Sequence, residues 1–267
     1  MRIAIGLEYS GSGFTGWQSQ PHGHGVQDAL ERALAAIADS PVRTIAAGRT
    51  DAGVHATMQL AHFDVDVERP DTAWVRGVNA HLPDAVAVLW VRRVAADFHA
   101  RNAAEARHYT YVLVNRPVRP ALLAGRVGWY HRALDVGAMT QAAQALVGRH
   151  DFSAFRAAEC QAKSPTKTLT DVTISSDGDQ LRLDFRADAF LQHMIRNIVG
   201  SLVHVGAGKR APAWIAELLA SRDRTRAAPT FAPDGLYFTG AEYDEKWQLP
   251  PTRRPIALAR GEPPEAR

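Results

Sequence analysis

The segment Ala46-Ala47-Gly48-Arg49-Thr50-Asp51-Ala52-Gly53-Val54-His55-Ala56 places an arginine and a carboxylate two residues apart between two glycines. Glycine permits backbone angles and close approaches that a β-carbon forbids, so the segment predicts an exposed loop. Apolar and polar residues then alternate over residues 57–64, which predicts that the loop leads into a strand. A neighbouring guanidinium favours the ionised form of Asp51. Taken alone, such a pair is more typical of a surface salt bridge in a turn.

The composition bounds the class of protein. The chain of 267 residues has 46% hydrophobic residues, which is typical of a globular protein, and it is long enough for two domains. No apolar run reaches the roughly 18 residues that cross a bilayer, and the N-terminus lacks the pattern of a secretory signal. A single cysteine, Cys160, excludes an internal disulfide framework. We therefore expect a cytoplasmic protein.

The net charge of +3 is carried by the C-terminal tail. Residues 246–267 contain five basic and two acidic side chains, so the rest of the chain is neutral. Bulk charge therefore says nothing about nucleic acid, and only a local cluster of arginines could indicate such a partner.

Two patterns suggest ligands that the surrounding sequence does not support. Residues 11–16 spell GxGxxG, but a dinucleotide site needs a helix directly after the third glycine, and no helix is predicted before about Val26. We expect instead a loop that presents Trp17 and Gln18. His22 and His24 lack the cysteine or carboxylate support of a zinc site, so no metal is expected.

Helices and strands alternate through the first half of the chain. Apolar spacing predicts an amphipathic helix over residues 27–38, a short helix from about Asp71 to Val78, and a strand over residues 85–94. A strand over residues 105–114 places Arg107, Tyr109, Tyr111 and Leu113 on one face. Two tyrosines on a sheet face are typical of cross-strand packing or of a platform on which bases stack.

The second half repeats this order. A helix is predicted from an Asp135 cap to Gly148, and Asp177-Gly178 predicts a hairpin turn between two strands. A largely apolar helix over residues 190–205 carries Arg196 on its polar stripe, and a buried arginine requires a partner. A further helix begins at Pro212, a closing strand covers residues 235–239, and the tail from Lys246 is predicted to be irregular.

These patterns predict an α+β fold of two α/β halves whose antiparallel sheets leave a cleft between them. We expect an N-terminal domain over residues 1–103 that carries the Asp51 loop. A C-terminal domain over residues 104–245 and a Pro-rich basic tail over residues 246–267 follow.

Several separated blocks resemble one family, the TruA-type tRNA pseudouridine synthases of bacteria, over residues 1–245. The resemblance rests on Tyr9-Ser10-Gly11, Gly16-Trp17-Gln18, Gly48-Arg49-Thr50-Asp51-Ala52-Gly53-Val54-His55, Gly77-Val78-Asn79-Ala80, Asp97-Phe98-His99-Ala100-Arg101, Ala189-Phe190, His193-Met194, Arg196-Asn197-Ile198-Val199-Gly200 and Gly235-Leu236-Tyr237. Two positions depart from the family pattern, Ala56 for a frequent glycine and Gln192 for a second histidine. Neither replaces a chemical group that the family assigns.

The resemblance implies an activity and its residues. The family converts uridine to pseudouridine at positions 38, 39 and 40 of the tRNA anticodon stem-loop, as a homodimer and without a cofactor. It implies the pseudouridine synthase fold, with RRM- or ferredoxin-like halves. It also implies that Asp51 is the catalytic nucleophile, that Arg196 pairs with it, that Arg49 turns the nucleotide out of the helix, and that Tyr109 packs on the uracil.

Further contacts with the substrate are expected from basic side chains and one apolar residue. Phosphates would position the tRNA arm without reading its sequence. The candidates are Arg101, Arg107, Arg156, Lys163, Lys167 and, in the last block, Leu236.

The competing hypothesis is a non-catalytic RNA-binding module with an RRM-like sheet. The chain lacks the aromatic RNP pattern of such modules. That hypothesis also gives no reason for a carboxylate to face RNA.

Overall fold

The computed structural model describes residues 1–256, and the chain forms two compact units. The first unit contains Met1–His108 and Tyr237–Pro255, and the second contains Tyr109–Leu236. Both units combine helices with mainly antiparallel strands, which confirms the predicted α+β class. Residues 257–267 of the predicted tail lie outside the described residues. In the part of the chain that the structure describes, no helix is long and apolar enough to cross a membrane.

The helices and strands follow one another along the chain. In order they are β1 (Arg2–Tyr9), α1 (Val26–Ala38), β2 (Thr44–Ala46), β3 (His55–Asp64), α2 (Val78–His81), β4 (Val86–Val94), β5 (Ala104–Asn115), β6 (Gly128–Tyr130), α3 (Val136–Ala143), β7 (Gly148–Asp151), β8 (Thr166–Asp177), β9 (Gln180–Ala187), α4 (Met194–Gly206), α5 (Trp214–Ser221) and β10 (Leu236–Tyr243).

The sheet of the first unit has the strand order β4-β1-β3-β10. β1 runs antiparallel to β3 and β4, and β10 runs parallel to β3. β2 pairs antiparallel with the C-terminal part of β3. Helix α1 covers one face of this sheet, since its apolar positions recur at helical spacing and Leu30 and Leu34 are completely buried. The loop that contains Asp51 therefore connects two strands of a well-packed sheet.

The sheet of the second unit has the order β5-β9-β8-β7, with β6 parallel to β5. The predicted hairpin is confirmed, because β8 and β9 pair on either side of Gly178, whose φ is +58°. Helices α3, α4 and α5 pack together in this unit. Helix α4 is buried along most of its length, as its apolar sequence predicts.

Three predicted helix boundaries are wrong. The helix from Asp135 ends at Ala143 rather than Gly148, because a 3₁₀ turn follows and Gly148, with φ +117°, already begins β7. The helix predicted from residue 190 begins only at Met194, since His193 adopts a left-handed φ of +61°. The helix predicted from about Asp71 to Val78 passes through a π-helical segment at Ala73–Gly77 directly into α2 and ends at His81, because the Asn79 amide bonds both backbone groups of Val88.

The chain after β10 forms a strap across the first unit. A 3₁₀ turn covers Glu245–Trp247, and Arg253 then bridges to Gly240. Arg254 donates to Thr239 through its backbone and to Glu8 through its guanidinium at 2.6 Å. The described part of the predicted tail is therefore tied to the sheet, and the end of this 3₁₀ turn is its only helical element.

Candidate active site

The loop around Asp51 is held on its buried side by three polar side chains. The Thr50 hydroxyl lies 2.8 Å from the Tyr9 hydroxyl, and both residues are buried. The Gln59 amide donates to the Gly48 carbonyl at 2.9 Å and to the Tyr9 hydroxyl at 3.4 Å. Because these groups are buried and hydrogen-bonded, they hold the buried side of the loop in place, whereas Asp51 itself is only half-buried.

Two glycines of the GxGxxG pattern press against the same loop. A β-carbon at Gly16 would lie 2.7 Å from the Thr50 carbonyl oxygen, and one at Gly11 would lie 2.1 Å from that of Val54. The Trp17 N–H also donates to the Thr50 carbonyl at 3.0 Å. These glycines therefore allow two backbone segments to approach closely, which explains the pattern without a dinucleotide.

His55 joins three of the sequence blocks. Its Nδ1 accepts a hydrogen bond from the Gly11 N–H at 3.0 Å, and its ring stacks on Tyr237 with centroids 4.7 Å apart. It is 2% exposed and begins β3 four residues after Asp51. His55 therefore anchors the end of the loop to the segment that follows β1 and to β10.

Arginines gather beside the loop in the first unit. Arg49 and Arg101 are exposed, whereas Arg107 is half-buried and donates to the carbonyls of Ala47 and Ala104 at 3.3 and 2.9 Å. Loss of contact with water lowers the pKa of Arg101, and the positive charges of Arg49 and Arg107 lower it further. Arg107 thus braces the two loops that present the other two guanidinium groups.

The loop that carries Arg101 is fixed by aromatic and histidine side chains. The Ala100 N–H donates to His62 Nδ1 at 3.1 Å, and the Ala100 carbonyl accepts from the Tyr243 hydroxyl at 2.7 Å. His99 Nδ1 accepts from the N–H groups of Arg101 and Asn102. Burial is the main reason that the pKa of His62 falls to about 4, so its ring stays neutral and able to accept.

In the second unit, the two tyrosines of β5 pack against other aromatic rings. Tyr109 is 8% exposed and meets Phe190 edge-on at 5.1 Å. Tyr111 is completely buried, donates to the Ala232 carbonyl and packs on Phe231. Tyr111 is therefore a core residue, whereas Tyr109 keeps a small exposed fraction.

Arg196 lies in the first turn of α4. Its Nε donates to the Phe231 carbonyl at 2.9 Å, and its own carbonyl accepts from the Phe231 N–H. The next residue, Asn197, is completely buried and accepts from Arg224 and Thr230 while it donates to the Phe155 carbonyl. The start of the helix, and with it the Arg196 side chain, is thereby held in place.

The weaker phosphate candidates serve their own loop. Arg156 donates to the carbonyls of Cys160 and Ala162, and Lys167 donates to those of Ser164 and Thr166. Lys163 is exposed. Among residues 1–256, no group of three histidine, cysteine, aspartate or glutamate side chains is arranged to hold a metal ion.

Comparison with known proteins identifies the family. A sequence model described as tRNA pseudouridine synthase matches residues 7–101 and 142–244. The chain belongs to the tRNA pseudouridine synthase family. The resemblance drawn from the sequence blocks is thereby confirmed, and so is the isomerase class.

Individual relatives from this family match nearly the whole chain. The tRNA pseudouridine synthase A of Thiobacillus denitrificans is 62% identical over 250 residues, which cover 94% of this chain and 96% of the relative. Its namesake from Chromobacterium violaceum is also 62% identical, over 251 residues and the same shares. That of Methylobacillus flagellatus is 56% identical and covers 97% of this chain and 99% of its own.

Within this pseudouridine synthase, the expected site residues divide between the two units. The first unit brings together Arg49, Asp51, Arg101 and Arg107, and the second holds Tyr109, Arg196 and Leu236, which is 4% exposed. His55, Gln59, His62 and Asn197 support these residues, a role that was not predicted from the sequence. A polar residue at an inward position of a strand or helix was the signal for all four, since such a group needs a partner.

Proposed function

We propose that this protein isomerises uridine to pseudouridine at positions 38, 39 and 40 of the tRNA anticodon stem-loop, with Asp51 as its nucleophile. The observation that carries the proposal is the Asp51 loop itself. The carboxylate is half-buried, the loop that carries it is supported by hydrogen-bonded side chains, and Arg49 lies two residues earlier in the sequence. A binding surface for RNA has no use for a rigidly presented negative charge.

The reaction breaks the N1–C1′ glycosidic bond, turns the uracil and forms a C5–C1′ bond. The C5 proton leaves to water and N1 gains a proton, so nothing is oxidised and no cofactor is needed. A single carboxylate can begin this by attack at C1′ or at C6, or by assisting loss of the C2′ proton. All three routes require Asp51 to react as a carboxylate.

The partners of Asp51 in this proposal are Arg196 and Tyr109. Arg196 pairs with the carboxylate and keeps it anionic where water is excluded, and its anchoring through Phe231 supports a fixed orientation. Tyr109 packs on the face of the uracil, which contributes about 1–3 kcal/mol for a stacked base. An aromatic wall retains a detached uracil while leaving it free to rotate.

The remaining residues handle the RNA. Extruding the target nucleotide costs a few kcal/mol, and Arg49 holds it outside its stack. Arg101 contacts phosphate, Arg107 supports that contact through the loops it braces, and Leu236 adds an apolar contact to the substrate. We further propose that the protein is cytoplasmic and that it forms a homodimer. Sedimentation of the pure protein measures its oligomeric state directly.

The test compares Asp51→Asn with Asp84→Asn, a matched change at an exposed carboxylate. With tRNA labelled by tritium at uridine C5, the wild type and Asp84→Asn release tritium, whereas Asp51→Asn releases none and still binds tRNA. Turnover by Asp51→Asn would remove Asp51 as the nucleophile. Binding without release by the wild type would instead support the non-catalytic RNA-binding module.

A further inference from the structure

A polar cleft of about 310 Å³ opens beside the Asp51 loop within the first unit. All three residues of β2 line it, and its polar lining residues include Gln18, Arg49, His99, Arg101 and Asn102. Asp51 is not part of its lining. This volume is at the small end of ligand sites, which suits one nucleotide rather than a larger cofactor.

The cleft carries an excess of positive charge. Within residues 1–256, neither Arg49 nor Arg101 has a hydrogen-bond or ion-pair partner for its guanidinium, although each lines the cleft. Arg107, which is committed to backbone carbonyls, adds a third positive charge nearby. Like charges held together repel, so an anion between Arg49 and Arg101 would relieve that repulsion.

Amide side chains supply the other walls. Gln18 donates to Gln27 at 3.1 Å, which orients its amide and leaves its carbonyl oxygen without a partner in residues 1–256. The side-chain amide of Asn102 has no partner in the same range. His99 uses Nδ1 as an acceptor, so the neutral ring carries its proton on Nε2 and can donate. The side chains that line the cleft therefore offer both hydrogen-bond donors and hydrogen-bond acceptors, and they do not select one particular base.

These walls are already in place before any ligand binds. Gln27 is buried and bonded to Glu31 and Thr44, so the residue that orients Gln18 is itself fixed. The Arg101 loop is held by His62 and Tyr243. A preformed site loses less free energy on ordering when it binds its ligand.

We infer that this cleft receives the nucleotide next to the target uridine, with its phosphodiester between Arg49 and Arg101 and its base against Gln18 and Asn102. This inference rests on the proposed function. An enzyme that acts at three successive positions meets a different neighbour at each one. An amide donates and accepts, and so it can bond any base.

The experiment uses full-length Asp51→Asn protein, so that the RNA stays unreacted, and an anticodon stem-loop with 2-aminopurine next to the target. Binding should unstack the probe and raise its fluorescence, whereas a probe placed three nucleotides away should not respond. Adding Arg101→Ala should weaken binding about tenfold and reduce the slope of log Kd against log salt by about 0.7 to 0.9. Arg92→Ala, an exposed arginine of β4 outside this cleft, should change neither quantity.

Gln18→Ala and Asn102→Ala separate the base from the phosphate. Each should lower the fluorescence gain and leave the salt slope unchanged, because neither side chain carries a charge. The inference is overturned if the neighbouring probe stays dark, if Arg101→Ala behaves like Arg92→Ala, or if both amide variants keep the full fluorescence gain.

Tritium release by the protein with Asp51 intact separates the two proposals. Absence of release contradicts the proposed function whichever way the fluorescence falls. Full release, together with an Arg101→Ala variant that binds like Arg92→Ala, contradicts only the assignment of the cleft.

Discussion

The hydroxyl groups of Tyr9 and Thr50 lie 2.8 Å apart beneath the loop that carries Asp51. Burial raises the pKa of Tyr9 to about 12, so the hydroxyl keeps its proton at any physiological pH. Gln59 approaches the same hydroxyl and the Gly48 carbonyl. Tyr9 on β1 thus supports the loop that carries Asp51 through its side-chain hydroxyl.

Replacing Tyr9 by phenylalanine tests this support. Tyr9→Phe removes the hydroxyl beneath Thr50, which should reduce the free energy of unfolding by about 1 kcal/mol. The position of the Asp51 loop should become less well defined, so kcat should fall several-fold while the KM for tRNA changes little. Urea unfolding and tritium release measure the two effects. The control is Tyr130→Phe in β6, and equal behaviour of the two variants would contradict the supporting role.

His62 should make stability depend on pH. The pKa of His62 is about 4 in the folded chain, against 6.5 ordinarily. Burial lowers this pKa most, and the positive charges of Arg2 and His99 lower it further, whereas the negative charge of Asp64 raises it. The unfolded chain therefore binds a proton between pH 6.5 and 4 that the folded chain does not. The stabilisation is complete above pH 6.5 and falls by up to about 3 kcal/mol as the pH drops to 4.

His62→Asn isolates this effect, since its amide oxygen can still accept from the Ala100 N–H but does not titrate. Unfolding in urea at a series of pH values should show a shallower loss for His62→Asn than for the wild type. The exposed His22→Asn variant serves as the control and should keep the wild-type slope. A wild-type slope in His62→Asn would show that other groups cause the loss.

Gly240 should not tolerate a side chain. Its φ is +132°, and a β-carbon would lie 2.1 Å from the Thr252 carbonyl oxygen, so Gly240→Ala should release the strap from β10. The expected cost is about 2–3 kcal/mol, with faster proteolysis near residues 249–255. Gly178→Ala has a positive φ and open space around it, so it measures the backbone strain alone. Equal proteolysis of the two variants would contradict the collision.

Asn197→Ala should be among the more damaging single changes in the second unit. It leaves the Phe155 carbonyl without its donor and removes the acceptor of Arg224 and Thr230, which should cost about 3 kcal/mol. Residual activity should also fall because Arg196 shares that helical turn. Thermal unfolding against Asn102→Ala, the same change at an exposed site, provides the comparison. A small loss would mean that water replaces the missing bonds.

Elements with a single strong period were predictable from the sequence. Helix α1 and the hairpin at Gly178 were predicted within one or two residues because spacing and turn chemistry act locally. Helix ends were less predictable where a distant group decides them. Asn79 extends its helix through bonds to β4, and the left-handed His193 delays α4. Neither cause is visible within a local window.

For the candidate site, the sequence pointed to the residues of the motifs but not to the residues that support them. The motif blocks predict chemical roles for Asp51, Arg49 and Arg196, and these roles stay predictions. The supports were not found, because Tyr9, Gln59 and His62 acquire their partners only when strands distant in sequence pair. Gly11 and Gly16 show the same limit, since the neighbour that each approaches closely is the Asp51 loop, about 35 to 45 residues further along the chain.

β10 joins the first unit although it lies 128 residues after the earlier part of that unit ends at His108. During synthesis on the ribosome, residues 109–236 emerge complete and can collapse while the N-terminal sheet still lacks its β10 strand. His55 has no Tyr237 to stack on until that strand arrives. A nascent chain that stalls before residue 237 would therefore carry the Asp51 loop in an unfinished sheet, and any activity that depends on that loop would be among the last properties that translation confers.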